Sequence, residues 1–370
     1  MIVIGARCAG AATAMLLARA GVSVLVLDRG QEGTDTLSTH ALMRAGVLQL
    51  HRWGILDALR RRETPVVRST SFHYDDDSLA IALKPRDGVE GLFAPRRFVL
   101  DQALVTAARE AGADLVFGVT VTGLLRAGDG RVTGVIVKDH DNHTIEISAK
   151  LVIGADGMRS TVAQLVEATQ YKTAQHTTAV IFNYFSDIGL DGYHWYYRAG
   201  ISAGAIPTND GMTCVFVSIP PSRFHAELAA DVAAGHAKVA RERDGDLADR
   251  IAGAGRHERY RGFAGLHGYF RQPWGPGWAL VGDAGYFKDP LTAHGMTDAL
   301  VDAEHLARAV IAGTDDALSV YQHSRDERSL AFFELTDAIA SFSWDVPTLK
   351  GLHRKLSEEM KREADGVLQL

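Results

Sequence analysis

The start of the chain has the pattern of a strand, a helix and a second strand, and this pattern limits the fold most. The apolar run Met1–Ile4 is followed by a glycine-rich turn that ends at Gly10. The alanine- and leucine-rich segment 10–20 predicts a helix, and the apolar run 22–27 predicts a buried parallel strand. The sequence therefore predicts a first domain of α/β class.

The turn after the first strand has the spacing of a dinucleotide fingerprint, with one departure. Gly5 and Gly10 take the outer positions, whereas Arg7 replaces the middle glycine that lets the backbone approach a pyrophosphate. An arginine is compatible with the loop if its side chain points outward, where its charge favours phosphate. Asp28 ends the second strand, at the spacing at which a carboxylate meets ribose hydroxyls. The unit predicts nucleotide binding and does not choose between NAD, NADP and FAD.

Composition excludes several other classes of function. The net charge of −6 argues against a nucleic-acid partner. No apolar run reaches about 18 residues, so no membrane span is predicted. The isolated cysteines, Cys8 and Cys214, form neither a disulfide framework nor a metal motif, and we expect a reducing, cytoplasmic setting.

Two later turns repeat the strand–turn–helix pattern. The first contains Asp156 and Gly157, and the second contains Gly282 and Asp283 after the strand 278–281. An aspartate at a strand end can accept hydrogen bonds from a polyol chain. A glycine that precedes a helix can present N–H groups to a ligand oxygen that develops negative charge.

The three motifs, in this order, resemble FAD-dependent monooxygenases of the para-hydroxybenzoate hydroxylase type, the group A flavoprotein monooxygenases. The resemblance implies a Rossmann-like FAD-binding domain of glutathione-reductase type, an inserted antiparallel β-sheet substrate domain and a C-terminal helical segment. It divides the chain into a discontinuous FAD-binding domain (1–66, 93–172 and 270–314), a substrate domain (67–92 and 173–269) and C-terminal helices (315–370). It is weak across 173–269, so the substrate domain is the least constrained part.

The resemblance also implies which residues hold FAD. We expect cofactor contacts from Gly5, Arg7, Gly10, Asp28, Arg29, Arg44, Arg97, Asp156, Gly157, Gly282, Asp283, Pro290, Gly295 and Met296. Asp28 would bind the adenosine ribose, and Asp283 the ribityl and phosphate region. Pro290 would lie beside the isoalloxazine, with Gly295 and Met296 against its pyrimidine edge.

Three further assignments depend on the same resemblance. Arg97 heads the helix whose arginine reaches the cofactor in that family. The Asp156–Gly157 pair is associated there with both FAD and the nicotinamide cofactor. Arg44 lies roughly where the family has a phosphate-contacting arginine, and the alignment at this point is loose.

The late motif departs from the family at three positions. Ala293 replaces a glycine, Thr297 an asparagine, and Tyr286 a frequent histidine. An alanine at position 293 costs little if its backbone stays at negative φ. These changes bear on flavin tuning and loop mobility more than on FAD binding.

The family's activity implies a reductant, an oxidant and an aromatic substrate. NADPH or NADH would reduce the flavin, molecular oxygen would add at C4a to give a hydroperoxide, and an activated ring would attack it. His40 and His294 are the candidate catalytic residues, because an imidazole titrates near neutral pH and both lie close to flavin motifs. Both are weak candidates, because a structural role is the more common one for such a histidine.

The segment 173–269 should supply the substrate pocket. Its runs 178–185, 193–200, 203–211 and 213–220 predict antiparallel strands. A period of two places Tyr193, Trp195 and Tyr197 on one face. Tyr184, Trp195 and Tyr197 are the candidate contacts for an aromatic or polycyclic aromatic small molecule, although such side chains also pack sheet cores.

Other functions remain open at this point. A flavin reductase of carbon–carbon double bonds, like the geranylgeranyl reductases, shares the fingerprint and the late Gly-Asp motif. A flavin-dependent halogenase shares the fold, and a nucleotide-sensing protein would keep it without chemistry. The apolar stripe of the C-terminal helices packs either on the body of the protein or on a partner subunit, so a homodimer is possible.

Overall fold

Two larger sheets and a C-terminal pair of helices organise the chain in a computed structural model that describes residues 1–75, 77–228 and 230–370. Asp76 and Ala229, which fall within the predicted substrate domain, lie outside the described residues. The mixed α/β architecture confirms the predicted fold class.

The strands are numbered in chain order. They are β1 (Ile2–Ile4), β2 (Leu25–Asp28), β3 (Val66–Val67), β4 (Ser69–Tyr74), β5 (Asp77–Ala82), β6 (Leu92–Phe93), β7 (Asp114–Phe117), β8 (Thr120–Arg126), β9 (Val132–Lys138), β10 (Thr144–Ser148), β11 (Val152–Gly154), β12 (Gln170–Thr173), β13 (Ala179–Ser186), β14 (Tyr193–Arg198), β15 (Ile201–Pro207), β16 (Thr213–Ile219), β17 (Gly255–Arg256), β18 (Arg261–Phe263), β19 (Tyr269–Arg271), β20 (Trp274–Gly275), β21 (Trp278–Leu280) and β22 (Tyr286–Phe287).

The helices lie between and after these strands. They are α1 (Cys8–Arg19), α2 (Arg44–Arg52), α3 (Leu56–Arg61), α4 (Arg97–Glu110), α5 (Thr161–Leu165), α6 (Pro221–Arg223), α7 (Val232–Arg243), α8 (Gly245–Gly253), α9 (Gly295–Ala312), α10 (Asp315–Ala340) and α11 (Val346–Val367). Short 3₁₀ turns cover Gly282–Ala284 and Pro290–Thr292, and a π turn covers Phe224–Leu228.

The six-stranded sheet has the order β20-β21-β11-β1-β2-β7 and is parallel apart from β20. Every residue of β1 is buried, as expected for a central parallel strand covered on both faces. Helix α1 begins at Cys8, earlier than predicted, because the N–H of Ala11 already donates to the carbonyl of Arg7 (2.8 Å). Strand β2 begins at Leu25 rather than residue 22, because the N–H of Val22 still donates to Leu17 at the helix end (3.1 Å).

The eight-stranded sheet follows the order β17-β13-β16-β15-β14-β4-β5, and β18 also pairs with β13. Its strands confirm the predicted antiparallel sheet, except that β14 runs parallel to β4. Strand β15 is Ile201–Pro207 rather than 203–211, because Thr208 turns the chain by donating to the carbonyl of Met212 (2.8 Å). One face packs on α7 and α8, and the other faces the C-terminal helices.

Several predicted domain boundaries pass through short strands. The limits at 66/67, 92/93, 172/173 and 269/270 fall inside β3, β6, β12 and β19 respectively. Strands β3 and β6 pair with each other, and β12 and β19 share a three-stranded sheet with β22. The chain therefore crosses between its two parts through paired strands and not through free linkers.

The C-terminal helices pack on the body of the protein. Thr314 caps α10 by accepting a hydrogen bond from Ala317, and Asp345 caps α11 by accepting one from Thr348. Phe332 and Leu349 are buried in the same cluster as the aromatic face of the large sheet. A homodimer remains a prediction from the sequence. None of the helices in the described ranges combines the length and the apolar character that crossing a bilayer requires.

Candidate functional site

The N-terminal turn has no room for side chains at its outer glycines. A Cβ on Gly5, whose φ is 101°, would lie 2.5 Å from the carbonyl oxygen of Ala155, and one on Gly10 would lie 1.8 Å from that of Gly5. Asp28 braces the turn by accepting hydrogen bonds from the N–H groups of Ala6 (2.7 Å) and Gly30 (2.6 Å). The first turn of α1, which lacks a side-chain cap, therefore presents its N–H groups beside a closely packed backbone, as an anion site requires.

Arg7 lies at the edge of this turn and its charge is already paired. Its guanidinium donates to the carbonyl of Thr34 (2.6 Å) and to Asp101 (3.2 Å). Arg29 is exposed on the loop after β2. A contact between either arginine and a cofactor remains a prediction.

A half-buried arginine and a half-buried aspartate lie beyond the turn. Arg97, at the start of α4, forms an ion pair with Asp101 (3.1 Å), and its Nε atom is buried without a partner. Burial would lower the pKa of Arg97, but Asp101, Cys8 and Asp283 outweigh it and the pKa is raised. Burial and the nearby Asp298 raise the pKa of Asp283 to about 6, although Arg97 opposes the shift.

The late loop joins this cluster at the start of α9. A Cβ on Gly295 would lie 3.9 Å from Oδ1 of Asp283, and one on Gly282 would lie 2.9 Å from the Cβ of Ala9 in α1. The Sγ atom of Cys8 is 4.0 Å from the carbonyl oxygen of Met296. The N-termini of α1 and α9, Arg97 and Asp283 therefore converge on one cleft.

The loop is strained at Ala293, which corrects one sequence expectation. Its φ of 50° and ψ of 41° are left-handed, so the alanine does carry a conformational cost, of about 1 kcal/mol. Pro290 opens the 3₁₀ turn before it, and Asp289 caps that turn by accepting from the N–H of Leu291 (2.9 Å). Thr297 ties the loop to α2 by accepting a hydrogen bond from the N–H of Met43 (3.1 Å).

The central Asp-Gly turn lies against the fingerprint. A Cβ on Gly5 would be 3.2 Å from the Cα of Asp156, and Gly157 has a φ of 79° that favours glycine. The Asp156 carboxylate accepts hydrogen bonds from the hydroxyl of Ser160 (2.5 Å) and the N–H of Thr161 (2.6 Å). Burial raises the pKa of Asp156 although these bonds oppose it. The carboxylate thus holds the start of α5, and a cofactor contact remains a prediction.

Comparison with known proteins now adds a family to this geometry. A sequence model of the FAD binding domain family matches residues 1–335. The chain belongs to this family. It is an FAD-dependent oxidoreductase, and the resemblance to group A flavoprotein monooxygenases is confirmed at the level of the family.

The curated relatives of this oxidoreductase include two reductases. Digeranylgeranylglycerophospholipid reductase 1 of Methanococcoides burtonii is 25% identical over 340 residues, which cover 90% of this chain and 78% of the relative. Menaquinone reductase of Mycolicibacterium smegmatis is 25% identical over 342 residues, which cover 85% of this chain and 76% of the relative.

Solved structures share the fold at lower identity. The flavin-dependent brominase Bmp2 superposes with a TM-score of 0.82 at 17% identity, covering 99% of this chain and 92% of the brominase. PqsL of Pseudomonas aeruginosa, described as a probable FAD-dependent monooxygenase, superposes with a TM-score of 0.75 at 20% identity, covering 100% of this chain and 99% of PqsL. These structures show the common fold.

The cleft fits a dinucleotide. The glycines at 5 and 10 leave backbone exposed where a Cβ would block a pyrophosphate, and two helix N-termini supply N–H groups. The unpartnered Nε of Arg97 can donate to a cofactor oxygen, and the half-buried carboxylate of Asp283 can accept from hydroxyl groups. The residues that would hold FAD are thus brought together, and their contacts with it remain predictions.

Among the described residues, no contact of the Arg44 side chain places it at this cleft. Its guanidinium donates to the carbonyl of Lys84 (3.1 Å), on the loop that follows β5. Burial, followed by the nearby Arg86, lowers its pKa. Its Nη1 atom is buried without a partner, and its role at a phosphate remains a prediction.

His40 lies in a buried hydrogen-bonded pair with Tyr184. It has a left-handed φ of 67°, its Nε2 atom bonds the Tyr184 hydroxyl, and its Nδ1 atom is buried without a partner. Burial lowers the pKa of His40 to about 3 and raises the pKa of Tyr184. The guanidinium of Arg96 lies 3.8 Å above the Tyr184 ring and is itself held by Asp35 (2.6 Å).

The aromatic face forms as the alternation predicts. Tyr193, Trp195 and Tyr197 share a cluster that also contains Leu291 of the late loop. Each has a protein partner: the Tyr193 hydroxyl donates to the carbonyl of Phe93 (2.7 Å), and Trp195 donates to the hydroxyl of Thr70 (3.0 Å). The Tyr197 ring lies 4.5 Å from the ring of a histidine of α11, tilted by 57°. Trp195 and Tyr197 are therefore packed side chains, and their contact with substrate remains a prediction.

His294 lies in a second buried cluster, directly before α9. Its Nε2 atom is 2.7 Å from Glu363 of α11 and 3.9 Å from Asp298. Lys288 forms an ion pair with Asp298 and lies 4.5 Å from the ring of Phe332.

Sequence reasoning missed Arg96, Lys288 and Glu363. Arg96 precedes the family's arginine in a pair of identical residues, so the sequence did not show which of the two would reach Tyr184. Lys288 lies between the Gly-Asp pair and the proline of the late motif, so the sequence alone could have marked it as a candidate site residue. Glu363 meets His294 across 69 residues of sequence, and no local pattern marks such a contact.

Proposed function

We propose that this oxidoreductase is an NADPH- or NADH-consuming monooxygenase that hydroxylates an aromatic or polycyclic aromatic small molecule with molecular oxygen. When bound, FAD would supply hydride acceptance from the nicotinamide and electron transfer to oxygen. We further propose that the sheet formed from residues 67–92 and 173–269 binds the substrate.

The observation that carries the proposal is the His40–Tyr184 pair within an aromatic cluster. Leu291 of the late loop belongs to this cluster together with Tyr184, so the pair lies on the side of the large sheet that meets the loop. Hydroxylation of a phenol is assisted when the enzyme takes up the phenolic proton.

The pair has the chemistry of a proton relay. With its pKa near 3, the buried imidazole of His40 is neutral at pH 7, so one ring nitrogen carries a proton and the other accepts one. Its Nε2 atom shares a hydrogen bond with the Tyr184 hydroxyl, which fixes the tautomer, and its unpartnered Nδ1 atom can accept a hydrogen bond from a substrate hydroxyl. Arg96 over the ring favours the more negative form of Tyr184.

A second candidate function is the reduction of a carbon–carbon double bond. It is favoured by the reductases among the curated relatives, which match 85% and 90% of this chain. Such a reaction also needs a proton donor near the flavin, so the same pair would serve it.

One experiment separates the two. The FAD-loaded protein is incubated with NADPH and a panel of phenolic, polyketide-like and isoprenoid compounds, under ¹⁸O-labelled oxygen and under argon. A product that carries one ¹⁸O atom and forms only with oxygen supports the monooxygenase. A product that gains two hydrogens and forms under argon would instead establish the reductase.

A further inference from the structure

A closed network of four titratable side chains lies behind the late loop. Lys288 pairs with Asp298, and His294 lies 2.7 Å from Glu363 and 3.9 Å from Asp298. The side chains of Lys288 and His294 are 3% and 1% exposed, so neither is solvated and both depend on partners within the protein. The partners are drawn from the loop, from α9 and from the distant helix α11.

We propose that Glu363 is a positioning residue for the flavin. From α11 it holds the imidazole of His294, and through that side chain it fixes the loop 290–296 against the cofactor. The inference depends on the proposed placement of the isoalloxazine at this loop.

The loop needs contacts with other elements to fix its conformation, because its own backbone is strained. Ala293 is left-handed, at a cost of about 1 kcal/mol that a relaxed loop would recover. His294 occupies the N-cap position of α9, yet its side chain forms no cap hydrogen bond. Its ring instead lies 4.3 Å from Phe332 of α10 and is bonded to Glu363. Two C-terminal helices therefore set the direction in which the chain enters α9.

Helix α11 is itself anchored on the substrate side. His353 bonds the hydroxyl of Tyr74 through Nδ1 (2.7 Å), and Asp365 pairs with Arg86 (2.8 Å). Glu363 lies between these two anchors along the helix. Glu363 therefore holds the loop 290–296 in a position that depends on the contacts of α11 with the large sheet and with the loop after β5.

The charges suit an ionised carboxylate at Glu363. Burial alone would raise the pKa of Glu363, but His294 and Lys288 outweigh it and the pKa lies below its usual value. The ligand atoms of His294, Asp298 and Glu363 lie within 4.8 Å of one another, which is close enough for a metal ion. Lys288 already supplies a cation at Asp298, where such an ion would have to bind.

The test is a set of FAD dissociation constants, measured by quenching of flavin fluorescence on the purified full chain. Glu363→Ala should raise the dissociation constant about tenfold, since it removes a buried hydrogen bond to His294. Glu363→Gln keeps an oxygen that can accept from Nε2 and should stay within about twofold of the wild type. Glu358→Ala, an exposed position on the same helix, is the matched control and should change nothing.

A double-mutant cycle shows whether Glu363 acts through His294. In a His294→Ala background, Glu363→Ala should add less than about twofold, because the group it positions is gone. If Glu363→Ala weakens FAD binding equally with and without His294, the proposal is overturned. An unchanged FAD dissociation constant in a folded Glu363→Ala protein would also overturn it. Loss of FAD affinity after dialysis against EDTA would overturn it in favour of a metal site.

A further variant separates this proposal from the placement of the flavin. If Asp283→Asn weakens FAD binding and Glu363→Ala does not, the cleft holds the flavin and only the positioning role fails. If neither variant weakens FAD binding, the proposed placement of the flavin fails with it.

Discussion

Replacing Asp283 with asparagine should stabilise the protein without FAD and weaken its binding of FAD. The carboxyl is buried in the cleft beside Asp298, and its pKa is raised from the usual 3.8 to about 6. That difference corresponds to about 2 to 3 kcal/mol of lost stability once the group is ionised, the lower figure allowing for water at the half-buried side chain. Asparagine has nearly the same shape and carries no charge.

The sign of the effect follows from proton binding. Between about pH 4 and pH 6 the folded protein holds a proton on Asp283 that the unfolded chain has released, so stability falls as the pH rises. The asparagine variant cannot ionise at this position, so its stability does not fall with pH for this reason. Asp289, whose pKa is also raised to about 6 by burial, contributes equally to both proteins and cancels in their difference.

The assay is thermal or urea unfolding of the two apoproteins at pH 4.5 and pH 7.5. For a chain of 370 residues, we expect the variant to melt about 3 to 4 °C higher at pH 7.5 and only about 1 °C higher at pH 4.5. The affinity for FAD should fall at pH 7.5, and less at pH 4.5, where Asp283 of the wild type is itself protonated before FAD binds. An apoprotein that is no more stable at pH 7.5 would refute the assignment of Asp283 as a buried, strained carboxylate.

Three more changes test other parts of the site. Ala293→Gly should raise the melting temperature by about 1 °C because glycine is unstrained at a φ of 50°; an unchanged or lower value contradicts a left-handed loop. Arg97→Met should cost the apoprotein about 2 kcal/mol, because Asp101 keeps only Arg7 as a partner and Asp283 loses a cation that opposes its raised pKa; Asp283→Asn should restore part of that loss in urea unfolding. If Asp283→Asn restores no stability, the charges of Arg97 and Asp283 do not interact in the apoprotein. Tyr184→Phe should leave FAD binding intact and lower substrate-dependent NADPH oxidation about tenfold or more, as expected when one relay atom is removed; an equal rate would exclude the relay.

Local patterns predicted the first strand–helix–strand unit, and the three motifs together gave the resemblance that implied the rest of the FAD-binding half. The apolar run at β1, the glycines at 5 and 10, and Asp283 at the end of β21 each carry a strong signal, because a parallel strand and a tight turn tolerate few residue types. The alternation of Tyr193, Trp195 and Tyr197 likewise predicted their common face.

Contacts between distant segments could not be predicted in the same way. Glu363 with His294, and Arg96 with Tyr184, pair helices and strands whose relative placement depends on the whole core. The conformation of Ala293 was also missed, since an alanine gives no signal that its backbone will be left-handed. The phosphate contact of Arg44 stays a prediction: a family position suggested it, and one nitrogen of the side chain bonds the carbonyl of Lys84.

The most direct test of the central claim is an anaerobic titration of the purified protein, followed by its visible spectrum. FAD is added to saturation, and NADPH is then added without oxygen. We expect one FAD per chain and bleaching of the flavin band, with oxidation restored by air. A chain that binds no FAD under these conditions would contradict the site described above, and bound flavin that neither NADPH nor NADH bleaches would contradict the proposed monooxygenase.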